Sequence, residues 1–141
     1  MIGSLIVKKK VSAAFEALNR RDFSTFLSGW TDDAVFVYPG DLSVSGETKG
    51  KAAIENWFQR FLDQFPSIKF TLKNVCVENI FDFLGTNTAA VEWDIDLTNR
   101  DGKEIQNSGM TIINIEKGKA VWVKDYIFNT GQKFKEAWGE A

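Results

Sequence analysis

The sequence contains no histidine and a single cysteine. Lack of histidine excludes Ser-His and Cys-His nucleophilic pairs and every imidazole-ligated metal site. A lone Cys76 excludes a disulfide framework and a thiolate metal site, and its place in a predicted strand marks it as a small buried hydrophobe. No apolar run is long enough to span a membrane, and the stretch from Met1 to Val7 is too short for a signal peptide, so a cytoplasmic, reduced setting is expected. No glycine-rich phosphate loop is present. Gly46-Glu47-Thr48-Lys49-Gly50-Lys51 has the composition of one but lacks the spacing and the Lys-Ser/Thr pair. Net charge is only −2 and no dense basic patch exists, which excludes nucleic acid as the expected partner. Lys8-Lys9-Lys10 reads as the solvated face of a helix. No metal or cofactor is expected. Any chemistry must come from carboxylates, hydroxyls, lysine or arginine.

Aromatic residues, by contrast, are plentiful: twelve Phe, five Trp and two Tyr in 141 residues. That is more ring volume than one domain of this length needs for a minimal core, and the surplus can line a cavity or an interface. Residues 1–141 read as one domain. Val7, Val11, Ala14, Phe15 and Leu18 recur at helical spacing. Asp22 is a candidate N-cap for a second helix carrying Phe23, Phe26, Leu27 and Trp30. A strand over Ala34 to Tyr38 closes at Pro39-Gly40 and gives way to a polar loop, and Lys51 to Phe65 forms a third helix with a broad apolar stripe, stopped by Pro66. Four strands follow, Ile68–Ile80, Thr88–Leu97, Glu104–Glu116 and Ala120–Phe128, with turns at Asn99 to Gly102 and Lys117-Gly118; Gln132 to Trp138 can close the chain as a short helix. The order predicts an α+β fold in which three N-terminal helices pack on a curved, mainly antiparallel sheet, giving a cone with a wide mouth.

Asp125 is the residue that breaks its pattern. In the last strand one face carries Val121, Val123, Asp125 and Ile127, aliphatic but for one carboxylate. Desolvation raises the pKa of such a group, which is how folds make general acids and bases; a purely structural hydrogen bond is the alternative role. The opposite face, Trp122, Lys124, Tyr126 and Phe128, is expected to be covered by a second subunit, giving a homodimer through the outer sheet face. Glu92, Asp94 and Asp96 form the polar side of an amphipathic strand opposite Val91, Trp93, Ile95 and Leu97, and read as a solvated face, not a site.

The order of several short motifs resembles the nuclear transport factor 2-like superfamily, in its SnoaL-like polyketide-cyclase and ketosteroid-isomerase branch. The carrying residues are Arg21-Asp22, the run Trp30 to Phe36, Gly50-Lys51-Ala52-Ala53-Ile54, Gly118 to Val121, and Asp125-Tyr126. The resemblance covers nearly the whole chain and implies a cone-shaped, usually dimeric α+β domain with an apolar pocket. Ketosteroid-isomerase-like members use an Asp before the Pro that ends the first strand, with Tyr and Asp as oxyanion donors; the corresponding positions here fall at Tyr38, near Ala14 and near Thr111. The limonene-epoxide-hydrolase branch is similar around Asp125-Tyr126-Ile127-Phe128, but its partner Arg and second Asp correspond to Trp93 and Ile95, and its water-holding Tyr and Asn to Phe36 and Tyr38. Only the carboxylate is retained.

The resulting expectation is a pocket for a small apolar molecule, with Asp125 as the acid/base group and Tyr38 or Thr111 as a hydrogen-bond donor to a developing enolate. Trp30, Trp57, Phe61, Trp93 and Thr111 are the expected ligand-binding walls. Chemistry of the cyclase, isomerase or hydrolase kind and a non-catalytic homodimeric binding module both remain open.

Overall fold

Residues 2–140 are described by a computed structural model. Helix α1 (Ile2–Asn19) buries Val7, Val11 and Leu18, as its periodicity predicts. Its C-terminal Asn19 doubles as a strand surrogate: the side-chain amide donates to the Phe70 carbonyl at 2.9 Å and its oxygen accepts the Phe70 N–H at 2.8 Å. Helix α2 (Phe23–Ser28) starts at Asp22, whose carboxylate accepts the Thr25 N–H, so the cap is where the sequence puts it. Arg21, in the left-handed region at φ 61°, points its guanidinium at the end of α3 (Lys51–Gln64), donating to the carbonyls of Leu62, Phe65 and Pro66. A cation there satisfies carbonyls that the helix leaves unpaired.

Helix α3 buries Ile54, Trp57, Phe58, Phe61 and Leu62, and each such side chain contributes about 1.5–3 kcal/mol on burial. It packs beside β1 (Trp30–Tyr38) and β2 (Gly46–Lys49). The remaining strands are β3 (Ser67–Val77), β4 (Asn87–Thr98), β5 (Glu104–Glu116) and β6 (Lys119–Ile127), followed by helix α4 (Gln132–Ala137). The curved sheet has the order β2-β1-β6-β5-β4-β3; every pairing is antiparallel except β1 with β6. Among the described residues four helices form, of which α2 and α4 have six residues each.

Several details depart from the sequence reading. β1 begins at Trp30, and the supposed polar loop contains β2, an exposed edge strand with no apolar alternation to reveal it. β3 ends at Val77, not Ile80, because Asn87 clamps Asn79: its amide donates to the Asn79 carbonyl at 2.7 Å and its oxygen accepts the Asn79 N–H at 3.0 Å. Cys76 is exposed rather than buried, since β3 is a sheet edge with a wet outer side. In β6 the register slips by one residue, with Asn114 opposite Trp122 but Ile115 opposite Ala120. The extra residue, Val121, is a bulge, so Ala120 rather than Val121 packs on the core alongside Val123 and Ile127. Among the described residues no helix is long and apolar enough to cross a membrane.

Candidate functional site

Asp125 and Thr111 face each other directly across the β5–β6 ladder. At that separation short side chains can touch. The Thr111 hydroxyl donates to Asp125 Oδ1 at 2.7 Å, and the indole N–H of Trp93 donates to Thr111 Oγ1 at 2.9 Å. The indole reaches this far because Gly109 lies opposite Trp93 on β5, where a side chain would strike the ring. The chain Trp93–Thr111–Asp125 therefore fixes the carboxyl with a single hydrogen bond, and among the described residues no Lys or Arg pairs with it. Asp125 is part-exposed as a residue, while its carboxyl is enclosed by protein. Burial pushes its pKa from 3.8 up to about 7, against the Thr111 hydrogen bond, which favours the charged form.

The carboxyl stands where two cavities adjoin, their shared walls being Phe58, Phe70 and Asp125. The larger, about 410 Å³, lies between α1, α2 and the sheet; Trp30, Phe36, Thr111 and Val123 are among its walls. The smaller, about 40 Å³, has room for little more than water and is walled by Tyr38, Trp57, Phe61, Trp93 and Trp138. Tyr38 is buried, and its hydroxyl accepts the Trp138 indole N–H at 3.3 Å. Burial first, and the nearby Asp125 charge second, raise the phenol above its ordinary 10.0, so it stays protonated.

This architecture of helices folded over a curved, mainly antiparallel sheet recurs in known proteins. Residues 11–123 match the family model described as the SnoaL-like domain. The chain belongs to the SnoaL-like family, within the NTF2-like superfamily. None of the curated proteins matches the sequence. Among solved structures, Bal32a from a soil-derived mobile gene cassette superposes with TM-score 0.83 at 18% identity, over 96% of this chain and 98% of that one. An NTF2-like protein of unknown function from Burkholderia pseudomallei gives 0.79 at 16%, over 92% and 95%. TerC, co-crystallised with polyporic acid, gives 0.75 at 17%, over 93% and 96%. At these identities the likeness is one of fold.

In this SnoaL-like domain the expected site residues fall into two groups. Asp125, Thr111 and Trp93 form one hydrogen-bonded chain; Trp30 lines the larger cavity with Thr111, whereas Tyr38, Trp57 and Phe61 line the smaller with Trp93. Trp57 is also tied into the core, donating its indole N–H to the Val44 carbonyl at 2.9 Å. Thr111 does not fit the role of enolate donor, because its one hydroxyl proton is directed at Asp125. The acidic residues Glu92, Asp94 and Asp96 are exposed, with Asn74 on Glu92 at 2.9 Å and Lys73 on Asp94 at 3.4 Å. Sequence reasoning missed Trp138, although Phe134, Ala137 and Trp138 are apolar at i, i+3 and i+4 and all three are buried. It also missed Phe70, although Ile68, Phe70 and Leu72 alternate with Lys69, Thr71 and Lys73 and so mark an apolar face.

Proposed function

We propose that the larger cavity binds a small apolar molecule and that Asp125 performs acid/base chemistry on it, of the kind used by polyketide cyclases, isomerases and hydrolases. What supports this reading is a carboxyl that, among the described residues, has one hydrogen bond and no counter-ion, its pKa pushed by burial to about 7, on the wall of an apolar cavity of about 410 Å³. In the ionised form Asp125 takes a proton from a carbon next to a carbonyl. The C–H electron pair moves into the enolate, and the negative charge develops on the carbonyl oxygen. Tyr38, kept neutral by its surroundings, lines only the smaller cavity and is the phenol available to a carbonyl oxygen that enters there in the space of a water. The co-crystallisation of TerC with polyporic acid supports small-molecule binding by this fold.

A non-catalytic binding module is the competing reading, favoured by the commitment of the Thr111 proton to Asp125. The two separate in heavy water. With 2-tetralone, an apolar bicyclic ketone, the wild-type protein should accelerate exchange of the C–H next to the carbonyl, followed by proton NMR. Quenching of tryptophan fluorescence by the ketone, with no acceleration of exchange, would leave only the binding module.

A second copy of the chain is proposed to cover the outer sheet face. Tyr126 and Phe128 are 49% and 88% exposed, Met110 lies opposite Tyr126, and the Lys124 amine sits 4.8 Å from the Tyr126 ring centroid. Sedimentation at micromolar concentration should give a dimer that Phe128→Ser converts to monomer. A wild-type monomer would remove this assignment. The exposed thiol of Cys76 suits a reducing, cytoplasmic setting.

A further inference from the structure

The larger cavity is electrically lopsided. Most of its wall is aliphatic or aromatic, and Asp125 is at its junction with the smaller cavity. Its exposed lining residues, which mark the mouth, include Lys10 of α1 and Lys119 at the start of β6. The Lys10 ammonium donates to the Gly118 carbonyl at 3.3 Å, which holds it over the β5–β6 turn, one residue from Lys119. Among the described residues neither lysine is in an ion pair, and no Asp or Glu other than Asp125 lines the cavity. Two cations thus stand at the mouth of an apolar chamber; Glu116 lies opposite Lys119 on the β5–β6 ladder but does not line the cavity and, among the described residues, is not ion-paired with either lysine. The rings of Phe15, Trp30, Phe58 and Phe70 suit a flat, ring-bearing body further in.

We propose that the ligand of this cavity is a ring-bearing organic anion, a carboxylate or an acidic phenolate, seated with its charge at Lys10 and Lys119 and its apolar body directed toward Asp125. This inference rests on the reading that the larger cavity is the binding site. It adds a polarity to it: the charged end stays at the wet mouth, where an ammonium contact does not require full desolvation, and the carbon end meets the acid/base group. The opposite orientation would bring an anion against the Asp125 carboxylate in a chamber of low dielectric, which is unfavourable.

The test uses the full chain and two probes of the same ring system, 2-naphthoate and its uncharged methyl ester, titrated by tryptophan fluorescence. The wild type should bind the anion about tenfold more tightly than the ester, a preference that narrows at high salt because the contacts lie at the surface. The double variant Lys10→Gln with Lys119→Gln should lose that preference and keep its affinity for the ester; both lysines are exposed, so folding should be unaffected. A third variant, Ala14→Trp, fills the chamber and should abolish binding of both probes. If the ester binds and is blocked by Ala14→Trp, but the anion has no advantage or keeps it without the two lysines, the anion proposal is wrong and the cavity reading stands. If neither probe binds, or Ala14→Trp changes nothing, both fail together.

Discussion

Asp125→Asn should lower carbon-proton exchange on 2-tetralone by about a hundredfold or more, the range lost when a general base is removed. The substitution isolates ionisation. Asn keeps the side-chain shape, and its carbonyl oxygen can still accept the Thr111 hydroxyl, so the Trp93–Thr111 arm stays in place. Ligand affinity measured by fluorescence should therefore change little while turnover collapses. In the wild type the rate should rise with pH through about 7, because only the carboxylate accepts a proton. A pH-independent rate, or a variant as fast as the wild type, would assign the chemistry to another group or to none.

The same substitution should change stability in a pH-dependent way. The folded-state pKa of Asp125, about 7, exceeds the ordinary value of 3.8 that the unfolded chain shows. Below pH 4 both states hold the proton and the group contributes nothing. Between 4 and 7 the unfolded chain releases the proton while the folded chain retains it, so ionisation favours unfolding and stability falls as pH rises. Above 7 the penalty is constant, on the order of 4 kcal/mol for a shift of this size. Asp125→Asn has no such penalty. It should be more stable than wild type at pH 8, with the gap shrinking toward pH 4, as read from urea denaturation at a series of pH values. Carboxylates held low by partners, Asp22, Glu136 and Glu140, contribute the opposite slope, since their stabilisation is lost as pH falls; they are common to both proteins and cancel in the difference.

Much of this was visible in the residues. Apolar patterning and turn signals placed α3, β4 and β5 almost to the residue and marked α1 by its apolar stripe, and Asp125 stood out because alternation isolates one carboxylate on an apolar face. β2 was hidden because an exposed edge strand such as Gly46–Lys49 carries no apolar pattern. The bulge at Val121 was hidden for a different reason. One inserted residue preserves composition while reversing which side chain, Val121 or Ala120, meets the core. The division of the interior into two cavities also left no mark in the sequence, since it depends on the tertiary placement of Phe58 and Phe70, from α3 and β3, which with Asp125 line both. The Trp93–Thr111 contact is diagonal across two strands, and only register, with Gly109 opposite Trp93, makes it possible.

The ionisation of Asp125 itself is the most direct test. With aspartate labelled at the carboxyl carbon, an NMR titration of the wild type, assigned by comparison with Asp125→Asn, should show one carboxyl titrating near pH 7, well above the rest. A midpoint near 4, the value of a solvated aspartate, would contradict the account, because a carboxyl of that kind is fully charged at neutrality and has no special place in an apolar cavity.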